Sequence, residues 1–340
     1  MKTLSRWLSS VGAVAVFAAL GFQGASAQGV TANGVVYSQF QYQLADSANH
    51  ASAFDVKRAY LDFKKSWDGG IQTRVTADLY RDANGSLNYR LKYAYFAWTP
   101  ENSPLTLKFG QIHTPWLDWE EGLWDYRMQG TMPLERAHYQ ASSDLGAGVD
   151  GAWGQQKFNM QAVIVNGEGY HGAEGDQHKD VAVRGSLRLL SSDDGGSRGG
   201  LRVTGMVHRG ATTGGGTRNR LIGMLSYKSK LYTLAGEYIK TADSKTSADP
   251  DVKGSVYSLY GVAHVPDSKV AFLGRVDVWD PNVDVASDKQ TRFIGGVSYQ
   301  LSSQVRLLLD LDHVSYQGAA PSAAAAAQRS TLLFQTQFVF

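Results

Sequence analysis

Polar residues, many of them charged, alternate with apolar residues along many stretches of this chain. In residues 71–80, Arg74 and Asp78 share one side of the alternation, whereas Val75 and Leu79 share the other. A period of two places alternate side chains on opposite faces of a β-strand. The pattern therefore predicts strands with one apolar and one charged face, and the charged faces are where we expect the chemistry of this chain.

The predicted charged faces carry more basic residues than acidic ones. If the apolar faces meet lipid, the basic side chains line the inside of a barrel, where rings and patches of charge select ions by sign. The alternative is that they pair across strands for solvation and stability. The predicted pore-lining basic residues are Arg58, Lys64, Arg74, Arg90, Lys92, Lys108, Arg184, Arg188, Arg202, Arg220, Arg275, Arg292 and Arg306. The predicted inward acids are Asp62, Asp78, Glu237, Asp277, Asp310 and Asp312.

The longest predicted connection, residues 113–143, is acidic and aromatic. Long loops in compact folds usually have a function. We expect this third long loop to fold into the barrel and face the basic wall, which would narrow a pore and set a field across it. Its Trp residues would stack on solutes or, as we favour, pin the loop to the wall. The expected constriction residues are His113, Trp116, Asp118, Trp119, Glu120, Glu121, Asp125 and Arg127.

Other arrangements that support chemistry are weak or missing. Residues 170–180 include His171 and His178 among carboxylates, which suit a divalent metal, but their spacing matches no specific site. A solvated loop is favoured, and neither metal nor cofactor is predicted. The sequence lacks a Gly-x-Ser-x-Gly elbow, a His-Glu-x-x-His pair and a phosphate-binding glycine loop. We therefore predict no catalytic residues and no enzyme.

The composition narrows the class of protein. The chain has no cysteine, which excludes disulfides, thiolate metal sites and covalent haem attachment. Its 33 basic residues nearly balance 31 acidic ones, so nothing indicates a nucleic-acid partner. Glycine is common at 37 residues and aromatic side chains are plentiful. This composition is typical of a β-barrel.

Residues 1–27 have the layout of a secretory signal peptide. Lys2 and Arg6 precede an apolar stretch, and Ala25-Ser26-Ala27 forms a small-residue cleavage site. The apolar stretch is shorter than the roughly 20 residues that a membrane helix needs. We therefore predict a signal peptide over 1–27 and a barrel over 28–340, exported to the outer membrane of a Gram-negative-type bacterium.

The alternating segments predict a transmembrane antiparallel barrel of about 16 strands. Most reach the roughly 9–11 residues of a tilted membrane strand. Short connections alternate with long ones, as in outer-membrane barrels, although the connection 191–199 is longer than its side of the barrel predicts. The last strand ends in Phe340, which resembles the assembly signal of such barrels. Predicted strands are 30–44, 53–66, 70–82, 88–100, 104–112, 144–153, 156–166, 180–190, 200–210, 218–229, 231–241, 252–266, 269–280, 288–301, 303–316 and 328–340.

Two stretches resemble the phosphate-selective porin family, named for porins O and P. Residues 54–63 are similar to its early Arg-Ala-Tyr-Leu strand. Residues 107–115, followed by Glu120, are similar to its Gly-Gln-x-x-x-Pro segment before the third loop. The resemblance implies a barrel of about 16 strands, usually a homotrimer, with the third loop constricting the lumen, and it raises anion uptake. Ile112-His113 stand where the family often has Phe-Lys, and no phosphate ligand is carried over.

These observations predict a passive diffusion channel for small hydrophilic solutes or ions, surrounded by outer-membrane lipid. Sieving by the third loop and sign selection by the wall charges would be its mechanism. One alternative is a substrate-specific porin for anions or small organic acids. Two others are a barrel enzyme such as a lipase and a barrel that sheathes an envelope partner.

Overall fold

The computed structural model describes residues 29–82, 84–173 and 175–340. The predicted signal peptide lies outside the described residues. Within them, sixteen antiparallel strands form one closed barrel, in which sequence neighbours pair and β1 pairs with β16. The strands are β1 (Val30–Gln43), β2 (Ser52–Trp67), β3 (Ile71–Arg81), β4 (Leu87–Trp98), β5 (Leu105–His113), β6 (Ser143–Trp153), β7 (Phe158–Val165), β8 (Asp180–Leu190), β9 (Gly200–Ala211), β10 (Thr217–Lys228), β11 (Tyr232–Asp243), β12 (Val252–His264), β13 (Val270–Asp280), β14 (Gln290–Gln300), β15 (Val305–Tyr316) and β16 (Ser330–Val339).

The predicted barrel is therefore confirmed, with strand boundaries shifted by no more than two residues. The alternation has the expected consequence along β9, where Val203 and Val207 are exposed on the outer face and Arg202 and Thr204 are buried inside. An apolar outer band around a polar interior is the arrangement of a barrel in a membrane. Within the described residues, no helix is long and apolar enough to cross a membrane.

A β-bulge on β4 modifies the simple alternation at one important place. Thr76 of β3 pairs with Tyr93, but the next residue, Ala77, pairs with Leu91. Lys92 is therefore the extra residue of the bulge, which bends a strand and re-aims its side chains. Lys92 and Tyr93 are consequently both buried, although they are neighbours in sequence.

Short turns join the strands at one end of the barrel, and longer connections lie at the other. The third loop, residues 114–142, contains α1 (Leu117–Trp124), a single 3-10 turn (Arg127–Gln129) and α2 (Pro133–Arg136). Near the carboxyl-terminal strand lies a short helix, α3 (Ala323–Gln328), capped by the Ser322 hydroxyl. The connection 191–199, here called the long turn, lies at the short-turn end, which is periplasmic in outer-membrane barrels.

Candidate functional site: the barrel interior

The apolar face of α1 docks against the inner face of the barrel. Trp116 and Trp124 are completely buried. The Trp116 Nε1–H donates to Glu237 Oε2 on β11 at 3.1 Å, and the Trp124 ring meets the edge of Tyr260 on β12 with ring centroids 5.5 Å apart. Rings buried in this way have no face left for a solute. This burial is what we expect of side chains that pin the loop to the wall, and it leaves no exposed ring face of Trp116 or Trp124 on which a solute could stack.

The rest of the third loop continues along the inside of the barrel. The Tyr126 hydroxyl lies 2.6 Å from Ser298 Oγ on β14, and Gln335 on β16 donates to the Met128 carbonyl at 2.9 Å. On β13, Trp279 Nε1–H donates to the Tyr139 hydroxyl at 3.0 Å. These contacts reach inward side chains on many strands, which is geometrically possible only from within the ring. We name the inner face of β8–β15 the covered wall and that of β1–β4 the open wall.

Arginines of the covered wall bind the loop's backbone. Arg184 Nε–H donates to the Pro115 carbonyl at 3.0 Å, and Arg275 Nη1–H donates to the Thr131 carbonyl at 3.1 Å. Arg184, Arg202 and Arg275 are exposed by only 6%, 0% and 2%. All three point inward as expected. The third loop covers Arg184 and Arg275, whereas Arg202 donates to the carbonyls of Gly199 and Gln156 in the periplasmic turns.

The arginines of the open wall pair with carboxylates on neighbouring strands. Arg58 Nη1 lies 2.8 Å from Asp78 Oδ2, and Arg90 Nη2 lies 3.0 Å from the same oxygen. Arg74 Nε lies 2.6 Å from Asp62 Oδ1. The guanidinium groups keep partial exposure, unlike those of Arg184, Arg202 and Arg275. Their charges therefore reach the lumen, but largely as ion pairs.

Lys92 differs from these arginines because no carboxylate lies within 4.0 Å of it in the described part of the chain. Its ammonium donates to the Tyr60 hydroxyl at 3.2 Å. It also lies over the rings of Tyr60 and Tyr93, 4.7 Å and 5.4 Å from their centroids. Aromatic faces stabilise a cation without neutralising it. Lys92 is thus a positive charge on the open wall that no ion pair cancels.

A cavity of about 860 Å³ lies between the open wall and the third loop. Its wall side includes Tyr37, Tyr60, Asp62, Arg74, Lys92, Tyr93 and His113, and its loop side includes Asp118, Glu121, Gly122, Asp125 and Arg127. Arg198 of the long turn completes the periplasmic side. The cavity is therefore lined by some of the predicted pore-lining basic residues and by some of the predicted constriction residues, but not by all of either set.

Each acidic residue on the loop side of the cavity has a basic partner. Asp118 Oδ2 lies 3.3 Å from Arg198 Nη2, and Glu121 Oε1 lies 2.8 Å from Arg127 Nε. Asp125 Oδ2 lies 3.2 Å from Arg306 Nη2. The acidic character that the sequence gives to the third loop is therefore largely balanced inside the barrel.

Glu120 is the exception among the predicted constriction residues, because it faces away from the cavity. It is completely buried against the covered wall. Burial, followed by the neighbouring charge of Glu237, raises the pKa of Glu120 well above its usual value. A carboxyl group in such a place favours its neutral form. Trp119, also assigned to the constriction, lies instead among the guanidinium groups of Arg184 and Arg198.

Of the remaining predicted residues, His113 borders the cavity, whereas Lys64, Lys108, Arg188, Arg220 and Arg292 do not. His113 is the last residue of β5 rather than part of the loop, and its Nε2 lies 2.9 Å from Arg74 Nη1. Ion pairs join Lys64 to Asp62, Lys108 to Asp150, Arg292 to Asp312 and Arg220 to Asp243. Arg188 lies at the periplasmic end, where it donates to the Gln155 carbonyl at 2.9 Å.

The fourth long connection, residues 166–179, also reaches the open wall. The Tyr170 hydroxyl accepts from Arg90 Nη2 at 3.0 Å, and His171 Nδ1 lies 2.6 Å from Arg90 Nη1. Burial and the charge of Arg90 lower the pKa of His171 to about 4. No group of three His, Cys, Asp or Glu residues that could hold a metal occurs among the described residues, from which Glu174 is missing.

Among the residues that line the cavity, sequence reasoning missed Tyr37, Tyr60, Tyr93 and Arg198. Tyr37 and Tyr60 point inward in register with predicted inward residues, so the period of two was sufficient to find Tyr60 beside Arg58. Tyr93 turns inward only because of the bulge at Lys92. Arg198 lies in a turn, where no periodic signal assigns a direction to a side chain.

Comparison with known proteins agrees with this architecture. Residues 30–189 match the family described as phosphate-selective porin O and P. Among curated proteins, none matches the chain in sequence. An anion-selective porin from Comamonas acidovorans is similar in structure, with a TM-score of 0.67 and 13% identity over 92% of this chain and 99% of that one. OmpF of Salmonella typhi, solved with daunomycin, has a TM-score of 0.67 and 10% identity over 92% and 97% of the two chains.

OmpT, an outer membrane protein of Vibrio cholerae, is also similar, with a TM-score of 0.62 and 11% identity over 92% of this chain and 97% of that one. At these identities the structural likeness shows the fold. The family match spans β1 to β8, which include the whole open wall and the two strands that flank the third loop. It confirms the resemblance seen in the two short stretches. Residues 30–189 thus carry the sequence pattern of the phosphate-selective porin O and P family, and the chain as a whole has the barrel fold of the outer-membrane porins.

Proposed function

We propose that the protein is a passive diffusion channel that prefers small anions, and that solutes pass between the open wall and the third loop. The observation that carries this proposal is the charge balance around the cavity. Its acids Asp62, Asp118, Glu121 and Asp125 all have basic partners. Lys92 has no carboxylate partner among the described residues, so its charge is left over.

An unpaired charge in a narrow pore acts strongly on passing ions. Lys92 is only 3% exposed although it borders the cavity. Screening by water is therefore weaker there than in bulk solvent. The ammonium attracts an anion and repels a cation of the same size. The anion-selective porin among the structural neighbours and the phosphate-selective family supply a second line of support.

The test is a single-channel recording of the refolded barrel in a planar bilayer under a KCl gradient. We expect steady current steps and a reversal potential of the sign that chloride permeation gives. Lys92→Gln should move the reversal potential towards zero or beyond it. Lys240→Gln is the matched control, because Lys240 lies on the outer face of β11 and is exposed there.

Two results would reject the anion preference. One is cation selectivity in the wild type, and the other is an unchanged reversal potential in Lys92→Gln. If the folded barrel gave no conductance at all, the channel itself would be rejected, and a fluorogenic ester assay and co-purification would test the enzyme and sheath alternatives.

The remaining features of the proposal follow from the sequence and the family. We propose that residues 1–27 are removed on export, that the protein acts without a cofactor and that it is a channel rather than an enzyme. A homotrimer is proposed because the family resemblance implies it. Amino-terminal sequencing of outer-membrane material should begin at Gln28, and cross-linking of the membrane-embedded protein should stop at three copies.

A further inference from the structure

The long turn is an anomaly of the sequence that the channel function does not explain. Other turns at the same end are short, such as residues 229–231 and 301–304. The long turn does not extend away from the barrel. Its last part folds back under the barrel, where Arg198 reaches α1 of the third loop.

Arg198 grips α1 through several groups at once. Its Nε–H donates to the Trp119 carbonyl at 2.9 Å, and its Nη2–H donates to the Asp118 carbonyl at 2.6 Å. The same Nη2 lies 3.3 Å from Asp118 Oδ2. The guanidinium carbon also lies 5.2 Å from the centre of the Trp119 ring. The planar, forked guanidinium group of Arg198, bound to two backbone carbonyls, fixes both the position and the orientation of α1. A lysine ammonium, which acts as a point charge, would not fix the orientation.

The contact is close as well as polar. A Cβ at Gly122 would lie 2.4 Å from Arg198 Cζ, so only glycine leaves space for the guanidinium. Lys228 on β10 donates to the Gly122 carbonyl at 3.0 Å. Two cations from the periplasmic side therefore hold the backbone of one helix through three carbonyl groups, those of Asp118, Trp119 and Gly122.

The long turn is itself fixed by hydrogen bonds, so it can hold Arg198 in a defined position. The Ser192 hydroxyl donates to the Lys228 carbonyl at 2.6 Å and accepts from Gly200 N–H at 2.9 Å. Arg202 Nε–H donates to the Gly199 carbonyl at 3.1 Å. These bonds fix both ends of the turn to β9 and β10 immediately beside Arg198.

We propose that the long turn is a strut that sets the position of α1 from the periplasmic side, with Arg198 as its positioning residue. The covered wall packs against the apolar face of α1, and the opposite face borders the conducting path. The strut fixes how far α1 projects into that path, and with it the width of the pore. The inference rests on the proposed channel but is independent of its anion preference.

Three variants separate positioning from charge. Arg198→Gln removes both the fork and the charge, and Arg198→Lys keeps the charge but loses the fork. Gly122→Ala keeps every charge and displaces the guanidinium through its Cβ. If the strut positions α1, all three should raise open-channel current noise by about twofold or more and add subconductance levels, because a loosened support lets the site wander. Lys269→Gln is the control, since Lys269 donates to the Leu301 carbonyl of a neighbouring turn at 3.2 Å.

Hydrogen exchange of residues 117–124 in the folded barrel provides a readout that does not need conductance. We expect faster exchange in Arg198→Lys and Gly122→Ala than in the wild type and in Lys269→Gln, at unchanged global melting. Quiet single-level currents together with wild-type exchange in both variants would overturn the strut. A wild type that conducts without anion preference would reject the role of Lys92 and leave this comparison intact.

Discussion

The open wall and the covered wall have the same kind of sequence, but only the open wall faces the cavity. In both, arginines occupy inward positions of strands whose side chains alternate between the two faces. On the open wall, Arg74 pairs with Asp62 and still borders the cavity. On the covered wall, Arg275 donates to a loop carbonyl and is 2% exposed. The third loop thus converts one set of wall charges into anchors and leaves the other set to meet solutes.

The difference teaches that an inward position is not yet a pore-lining position. Alternation decides which face of the strand a side chain occupies. Whether that face meets water depends on what else fills the barrel. In this protein the loop's apolar helix face selects the covered wall, and the balanced charges of its other face leave Lys92 as the residual charge.

The largest effect is expected from breaking the seal between the loop and the covered wall. Trp124→Ala removes a buried ring packed on Tyr260 at 5.5 Å. Truncation of a buried Trp costs about 3–5 kcal/mol, which should undock the loop and raise the conductance. Urea unfolding and single-channel recording measure the two effects. Trp153→Ala, on the outer face, is the control and should leave the conductance unchanged; equal effects of both variants would contradict the distinction between the walls.

Loop docking should also depend on pH. The pKa of Glu120 is raised from the usual 4.5 by burial and by Glu237, while Arg275 acts against the shift. The docked loop therefore favours the protonated form of the Glu120 carboxyl group. Its stabilisation by that proton is full below pH 4.5 and is lost as the pH rises through the raised pKa. We expect current noise to increase over that range in the wild type. Glu120→Gln should flatten the profile, and a wild-type slope in this variant would exclude Glu120 as the titrating group.

The charge balance of the open wall can be sharpened with a matched pair of variants. Arg74→Gln leaves Asp62 with only one of its two basic partners, Lys64, and should shift selectivity towards cations. The double variant Asp62→Asn/Arg74→Gln removes a balanced pair, so its reversal potential should stay near that of the wild type. Equal shifts in the single and double variants would show that the pair does not set the local field.

The smallest effect is expected at the partly exposed rim of the covered wall. Arg306 pairs with Asp125, whose side chain is 56% exposed. Exposed ion pairs contribute only about 0–1 kcal/mol. Arg306→Gln should therefore change the free energy of unfolding by less than Trp124→Ala does, in the same urea titration. A comparable loss would mean that the loop is held by its ion pairs rather than by its aromatic face.

Much of the architecture follows from the sequence alone. The period of two and the lengths of the segments depend on local backbone geometry, which each strand carries in its own residues. For that reason the strands from Val30–Gln43 to Ser330–Val339 agree with their predicted limits. The inward direction of Arg58, Arg74 and Arg275 was readable for the same reason.

Only the tertiary structure decided which inward residues are available to solutes. The third loop contacts strands far from it in sequence, and no local pattern states which wall its helix will cover. Tyr93 turns inward through a bulge that depends on pairing with β3. Arg198 reaches α1 across 79 and 80 positions of the chain. Strand direction is a property of neighbouring residues, whereas the open path through the barrel is a property of distant ones packed together.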